Sequence, residues 1–89
     1  MAKKIKKVLV TGAFNVLHPG HIRLLKFAKS CGDTLIVGVY ADKLAGDNVD
    51  RKEEVRKEAI RSIDFVDECL LISDNLFKFI RVTKPDLIV

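Results

Sequence analysis

The sequence predicts an α/β fold, a Rossmann-like doubly wound parallel sheet of about four strands with helices on both faces. The first observation is a set of short apolar runs without period-2 alternation, as expected of strands that are covered on both faces. The second is that amphipathic helical stripes separate these runs, which favours right-handed crossover connections. The third is the length, because 89 residues hold one core. We therefore treat residues 1–89 as a single α/β domain.

The first half of the chain predicts two strands around one helix. Residues 8–10 form the first apolar run, which ends at Thr11-Gly12. Pro19 suits the first position of a helix, and Cys31-Gly32 suits its end. The apolar stripe of this helix consists of Ile22, Leu24, Leu25, Phe27 and Ala28. Residues 34–39 are predicted to form the second strand.

The second half predicts a loop and two further strand and helix pairs. Residues 40–49 read as a loop with a turn of helix at 42–45. The next helix is expected to start at Asp50 with a capping box to Glu53, and to run for about three turns. Residues 69–72 and 86–89 form the other apolar runs. Between them we expect a helix that Ser73 or Asp74 caps and that Lys84-Pro85 terminates.

Composition and charge exclude several classes of protein. The chain is 48% hydrophobic and 31% charged, which is typical of a globular protein. Its net charge of +4 equals the contribution of Lys3, Lys4, Lys6 and Lys7. We interpret this cluster as a solvated basic N-terminus and expect no nucleic-acid partner. No apolar run approaches the ~20 residues of a membrane span. We expect a soluble, cytoplasmic protein without a membrane partner.

The two cysteines show no metal or redox pattern. Cys31 and Cys69 are far apart in the sequence and form no CxxC motif. In a reducing compartment they are expected to be ordinary small thiols, and a metal site that combines them with the histidines is the less favoured reading. We predict no protein metal centre.

The segment from Thr11 to His21 carries the candidate chemistry. It leaves the carboxyl end of the first strand and enters the first helix, which is where ligands bind in such sheets. His18 at the cap and His21 in the first turn can both point at an anion that the helix N-terminus attracts. Gly12 and Gly20 have no Cβ and leave room for a phosphate. The alternative is structural, with a histidine capping the helix and Gly12 making a tight turn.

The same segment resembles the signature of the HxGH nucleotidyltransferase superfamily, in its cytidylyltransferase-like group. That group includes glycerol-3-phosphate cytidylyltransferase, the heptose-phosphate adenylyltransferases and archaeal FAD synthetase. The similarity covers nearly the whole chain in order. It continues through residues 24–33, Glu54-Val55-Arg56, Val66-Asp67-Glu68 and Lys84-Pro85-Asp86.

The resemblance implies transfer of CMP or AMP from CTP or ATP to a small phosphorylated polyol or sugar, with release of pyrophosphate. His18 and His21 would be the catalytic residues that stabilise the transition state at the α-phosphorus. Mg²⁺ would accompany the triphosphate. Arg56 would bind phosphate on the nucleotide side; otherwise it is an exposed helix arginine on a basic face. The other residues implied to bind nucleotide are Thr11, Gly12, Ala13, Phe14, Asn15 and Gly20.

The sequence departs from the family pattern in three places. Asn15 stands where most relatives have Asp, so rate or metal use is expected to differ. Ala45 stands where relatives often place a phosphate-binding lysine; Lys43 or Lys52 would substitute, unless both are solvated surface lysines. The resemblance also implies a glycine and a Ser/Thr-rich motif beyond the fourth strand, and the sequence stops at Val89. We expect an N-terminal piece of a longer enzyme or a shortened relative.

Two further expectations follow from the resemblance. Residues 61–68 resemble the segment at the subunit contact of relatives, which implies a homodimer. The alternative to an enzyme is a non-catalytic module that binds nucleotide or dimerises. The choice between CTP and ATP, and the identity of the acceptor, stay open at this point.

Overall fold

The computed structural model describes residues 5–89, so Lys3 and Lys4 of the basic terminus lie outside the described part of the chain. Strands and helices alternate along the sequence, and the four strands form one sheet. The elements are β1 (Lys7–Gly12), α1 (Pro19–Ser30), β2 (Thr34–Tyr40), α2 (Asp42–Ala45), α3 (Glu53–Arg61), β3 (Glu68–Ile72), α4 (Leu76–Thr83) and β4 (Leu87–Ile88). A 3-10 turn, Gly46–Asn48, follows α2.

The sheet is parallel throughout and has the strand order β3-β2-β1-β4. The chain steps outward from β1 to β2 and β3, and then returns to place β4 on the other side of β1. The order of connection therefore reverses between β1 and β4. In open α/β sheets the ligand crevice lies at such a reversal, outside the carboxyl ends of the strands.

One face of the sheet packs against α1 and α3. Alternate residues of β1 and β2 point to this face, since successive side chains of a strand point to opposite sides. The fully buried side chains here are Val8, Val10, Leu35, Val37 and Val39 from the strands, with Leu25, Ala28 and Ile60 from the helices. These residues form the main hydrophobic core.

The other face of the sheet packs against α4. Leu9, Ile36 and Ile72 are buried on it. A Cβ on Gly38 would lie 2.7 Å from Ile72 Cδ1 and 3.1 Å from Phe79 Cε2, so α4 approaches the backbone of β2 where a side chain is missing. Helices therefore cover both faces, and the predicted α/β class is confirmed.

Two predicted helix starts are wrong. Helix α3 begins at Glu53 after Lys52, without a side-chain cap, and the Glu53 carboxylate accepts the Asp42 backbone N–H at 2.9 Å instead of completing a capping box with Asp50. Helix α4 is capped by Asn75, whose Oδ1 accepts the N–H groups of Phe77 and Lys78. A capping box is predicted from neighbouring residues alone. At α3 the Glu53 carboxylate instead binds the backbone of Asp42, which is distant in sequence.

In the part of the chain from residue 5 onward, no helix has the length and apolar character needed to cross a membrane.

Candidate nucleotide site

The loop between β1 and α1 is shaped by Phe14. This residue has a left-handed backbone, with φ of 52°, and is 7% exposed. Its ring lies against Gly12, where a Cβ would come within 3.0 Å of Phe14 Cε2. A non-glycine residue in the left-handed region is uncommon and is held by its surroundings. Gly12 thus provides the space that the Phe14 ring fills.

His18 caps α1 with its imidazole. Nδ1 accepts the backbone N–H of Gly20 at 3.0 Å, and the backbone of His18 is extended, as expected of an N-cap residue. Because Nδ1 is an acceptor, neutral His18 carries its proton on Nε2. A Cβ on Gly20 would lie 2.8 Å from His18 Cε1 and 3.0 Å from Nδ1. Gly20 therefore makes room for this imidazole as it folds back over the helix.

His21 lies directly beside His18. The two ring centroids are 3.9 Å apart and the ring planes differ by 32°. On its other side His21 meets Phe14, edge to face, with centroids 5.6 Å apart. Its Nδ1 is buried, with no hydrogen-bond partner among the described residues. The structure thus brings the two predicted catalytic residues together at the N-terminus of α1.

The surroundings of His21 favour its neutral form. Burial lowers the pKa of His21 below its ordinary value of 6.5, and positive charge on His18 lowers it further. The nearby backbone of Val16 raises this pKa, but it is the smallest of the three causes. At pH 7 His21 is therefore mostly neutral before any anion binds.

Arg56 is buried beneath the loop. It is 1% exposed, so the alternative of an exposed helix arginine is wrong. Its Nη1 donates to the carbonyl oxygens of Ala13 at 2.8 Å and Tyr40 at 2.6 Å. Nε donates to the carbonyl of Arg51 at 2.8 Å, and Nη2 pairs with Asp42 Oδ1 at 2.7 Å. The guanidinium is thus engaged by groups of the chain itself.

Asn15 and Thr11 also make contacts distant in sequence. Asn15 Oδ1 accepts the backbone N–H groups of Asp50 and Arg51, each at 3.1 Å. Its oxygen therefore joins the loop to the segment that enters α3. The Tyr40 hydroxyl donates to Thr11 Oγ1 at 3.4 Å, which links the carboxyl ends of β2 and β1.

The two candidate lysines lie on the surface. Lys43 is in α2 and Lys52 directly precedes α3, and both are exposed. Sequence reasoning missed Asp42 and Tyr40, which contact Arg56 and Thr11. Their position was a usable signal, because a carboxylate and a hydroxyl directly after a buried strand lie at the ligand edge of a parallel sheet.

Among residues 5–89 no three His, Cys, Asp or Glu side chains converge on one point. The side-chain oxygen of Asn15 accepts two backbone N–H groups, and the Asp42 carboxylate is paired with Arg56. Mg²⁺ generally keeps several waters and binds through carboxylates together with substrate phosphates.

The fold and the site define a Rossmann-like α/β domain with a paired-histidine loop at the carboxyl edge of its sheet. The chain belongs to the cytidylyltransferase-like family, which matches residues 9–89.

Relatives and a solved structure support this assignment. The chain is 38% identical over 86 residues to the FAD synthase of Picrophilus torridus, covering 92% of the chain and 62% of the relative. It is 41% identical over 91 residues to the FAD synthase of Ferroglobus placidus, covering 94% and 57%. The chain thus spans about three fifths of the length of these curated relatives.

The crystal structure of the lipopolysaccharide core biosynthesis protein from Thermoplasma volcanium GSS1 superposes with a TM-score of 0.88 at 35% identity. The match covers 94% of the chain and 72% of that protein. The resemblance to the nucleotidyltransferase superfamily, which the sequence indicated, is therefore confirmed.

Proposed function

We propose that this chain carries the nucleotide site of a nucleotidyltransferase. An oxygen of the acceptor phosphate attacks the α-phosphorus of a nucleoside triphosphate. The new P–O bond forms as the bond to the β-phosphate oxygen breaks, and pyrophosphate leaves. The observation that carries this proposal is the stacked His18 and His21 pair at the N-terminus of α1, beside β1 at the carboxyl edge of the sheet.

The residues act by positioning and by electrostatic stabilisation. His18 would donate from Nε2 to a phosphate oxygen, because its Nδ1 is held by Gly20. His21 would reach the phosphates through Nε2, because its Nδ1 is buried. The positive end of the α1 dipole acts in the same direction. Donors fixed in this way stabilise the charge that develops during phosphoryl transfer without a covalent intermediate.

For the substrates, we propose ATP as the donor and FMN as the acceptor. The support is the name FAD synthase carried by relatives up to 41% identical, since FAD is the product of joining FMN to AMP. A sugar phosphate acceptor is the second candidate, which the name of the solved structural relative favours. The sequence left CTP or ATP, and a polyol or sugar phosphate, open; the names of these relatives do not mention CTP or a polyol phosphate.

Mg²⁺ is proposed as the counter-ion of the triphosphate. When bound, it neutralises negative charge on the phosphates that the acceptor must approach. The steps assigned to His18 and His21 do not depend on a metal ligand from this chain.

The assembly and location of the protein are also proposals. Residues 61–68 would lie at the contact of a homodimer, and a monomeric mass by light scattering would overturn this. Cytoplasmic location is proposed because Cys31 and Cys69 are free thiols, as is usual in a reducing compartment.

Pyrophosphate release tests the function. It is measured with ATP and FMN, with ATP and a sugar phosphate, and with CTP and glycerol phosphate. We expect release with ATP and FMN, a large loss in H18A and H21A, and no change in R81Q, which alters an exposed arginine of α4. Activity that survives both histidine substitutions contradicts the mechanism.

Calorimetry separates the enzyme from a binding module. ATP binding without turnover supports the non-catalytic alternative. The absence of binding to both ATP and CTP contradicts the enzyme and the binding module together.

A further inference from the structure

We propose that Arg56 is a positioning residue that sets the histidine pair through the backbone of the loop, and that it is not a phosphate ligand. The proposal rests on the proposed function only in one respect, namely that the histidines bind the phosphates of a nucleotide. The positioning itself is a property of the ligand-free chain and can be tested without nucleotide.

The guanidinium is already committed to acceptors within the chain. The Arg56 side chain is 0% exposed, and four of its five N–H donors are used by three carbonyl oxygens and one carboxylate. A phosphate would have to displace these partners and leave partly buried carbonyls without donors, which is costly. Bidentate recognition of phosphate needs a free edge of the guanidinium, and the structure has both nitrogens of the Nη1 and Nη2 edge engaged.

The acceptors belong to segments that converge on the loop. Nη1 bridges the carbonyls of Ala13, after β1, and Tyr40, at the end of β2. It thereby joins the ends of two adjacent strands. The carbonyl of Arg51 and the carboxylate of Asp42 hold the other donors and tie α2 and the entry of α3 to the same point.

The contact with Ala13 is transmitted to the histidines by neighbouring groups. Fixing the Ala13 carbonyl fixes the peptide that joins it to Phe14, which is held in the left-handed region. That backbone directs the Phe14 ring against Gly12 and edge to face with His21. His21 in turn stacks on His18. Each step in this series is a direct contact.

The place of Arg56 in the fold supports the same reading. Arg56 contacts the loop from the side of β2, whereas the sheet order reverses between β1 and β4. The ligand crevice of an open α/β sheet lies at the reversal. Asn15 binds the Asp50 and Arg51 backbone, so the loop is held at residues 13 and 15 from the α3 side.

Lysine is not an adequate substitute for Arg56. A lysine ammonium is a single point with three donors, whereas the guanidinium spreads its donors over a planar fork. The carbonyls of Ala13, Tyr40 and Arg51 are reached here from two different nitrogens. We therefore expect R56K to keep the charge and lose the geometry.

The test compares R56K and D42A with the control R81K. Arg81 is an exposed arginine of α4 and lies outside the candidate site. Amide hydrogen exchange of residues 13–16 and the NMR titration of His21 are measured on the ligand-free chain, and ATP binding is measured by calorimetry. We expect R56K and D42A to speed exchange about tenfold or more and to raise the pKa of His21 toward 6.5. ATP affinity falls in both variants, and R81K matches the wild type.

D42A decides the question even if R56K does not fold. Asp42 is half exposed, and its removal leaves Arg56 with its carbonyl partners but frees Nη2. A positioning role predicts a looser loop and weaker ATP binding, whereas a phosphate-ligand role predicts unchanged or tighter ATP binding. Unchanged exchange and an unchanged His21 titration in D42A overturn the proposal. If the wild type binds no ATP, the proposed function fails, and those two measurements still decide the positioning role.

Discussion

At the scale of single residues, the glycines of the loop serve side chains of the chain itself. Gly12 accommodates the Phe14 ring, and Gly20 accommodates the His18 imidazole. The sequence predicted that both glycines leave room for a ligand, which remains a prediction. The structure adds that a side chain at either position would first displace the group that orients the histidine pair. Here the absence of a Cβ determines the geometry of the site before any ligand arrives.

Gly20→Ala is expected to weaken ATP binding about tenfold, equivalent to about 1.4 kcal/mol. The new methyl group would collide with the His18 ring, which must swing away and release the Gly20 N–H. Loss of this cap costs about 1 kcal/mol. ATP affinity by calorimetry and the free energy of unfolding by urea denaturation measure the two effects.

The control is the same substitution in a His18→Ala background. Without the imidazole the Gly20→Ala methyl meets no ring, so the second substitution should have little further effect on affinity. Additive losses in the double variant would show that Gly20 acts independently of His18.

The lowered pKa of His21 predicts proton uptake on ATP binding. Free His21 is mostly neutral at pH 7 because burial and the charge of His18 lower its pKa. Phosphate oxygens favour the imidazolium, so the complex has the higher pKa and holds more protons. Affinity should therefore rise as the pH falls from about 8 to about 6, by up to about tenfold if binding raises the pKa by about one.

Calorimetry in two buffers with different ionisation enthalpies measures this uptake. In His21→Asn the part of the proton uptake that belongs to His21 disappears. A pH dependence that is identical in this variant and in the wild type contradicts the assignment.

At the scale of elements, helix ends were predicted less well than helix bodies. The helical segments expected between the apolar runs correspond to α1, α3 and α4. The starts of α3 and α4 differ from the prediction because Asp50, Ser73 and Asp74 are all competent caps locally. The sequence offers several caps, and the path of the chain into each helix selects one of them or none.

Asn75→Ala is expected to destabilise the chain by about 1 kcal/mol. The substitution leaves the N–H groups of Phe77 and Lys78 without their acceptor at the start of α4. Ser73→Ala is the matched control and should change stability by less than about 0.5 kcal/mol. Urea denaturation of both variants measures the difference, and equal stabilities would show that Asn75 is not the effective cap.

At the scale of the whole molecule, a polar tie opposite the candidate site joins three segments. Asp67 Oδ2 accepts the backbone N–H of Leu35 and pairs with Lys29 Nζ, each at 2.7 Å. Lys29 also donates to the carbonyl of Asp33 at 2.7 Å. The tie connects α1, the start of β2 and the approach to β3. The hydrogen bonds from Lys29 and from Leu35 lower the pKa of Asp67 below its ordinary value of 3.8.

This tie predicts a stability difference that depends on pH. A carboxyl group with a lowered folded-state pKa stabilises the fold above its unfolded pKa, and the contribution is lost as the pH falls through the folded pKa. Asp67→Asn keeps an acceptor for Leu35 but loses the charge. We expect it to cost about 1 kcal/mol at pH 7, the upper range for a partly exposed ion pair.

Urea denaturation at about pH 7 and about pH 3 measures this effect. The difference in free energy of unfolding between the wild type and Asp67→Asn should be smaller at the lower pH. At that pH Asp67 is protonated in the unfolded state and becomes partly protonated in the folded state. A gap of equal size at both pH values would exclude the charge of Asp67 as the cause.

Much of the architecture was predictable because it depends on patterns within short segments. Buried parallel strands need continuous apolar runs, and residues 8–10, 34–39 and 69–72 provide them. The candidate histidines were predictable because His18 and His21 flank Pro19 at a helix start. Arg56 was not predictable in its present role, because a basic helix face gives no sign that one of its arginines turns inward.

The sequence by itself determined the α/β class, the order of strands and helices, and the placement of His18 and His21 at the first helix. These follow from periodicity and from residue types that are adjacent in the chain. Only the tertiary structure decided that Arg56 joins Ala13 to Tyr40, and that Asn15 binds the entry of α3. Those bonds join groups far apart in sequence, and their acceptors are mainly backbone carbonyls, which every residue type carries.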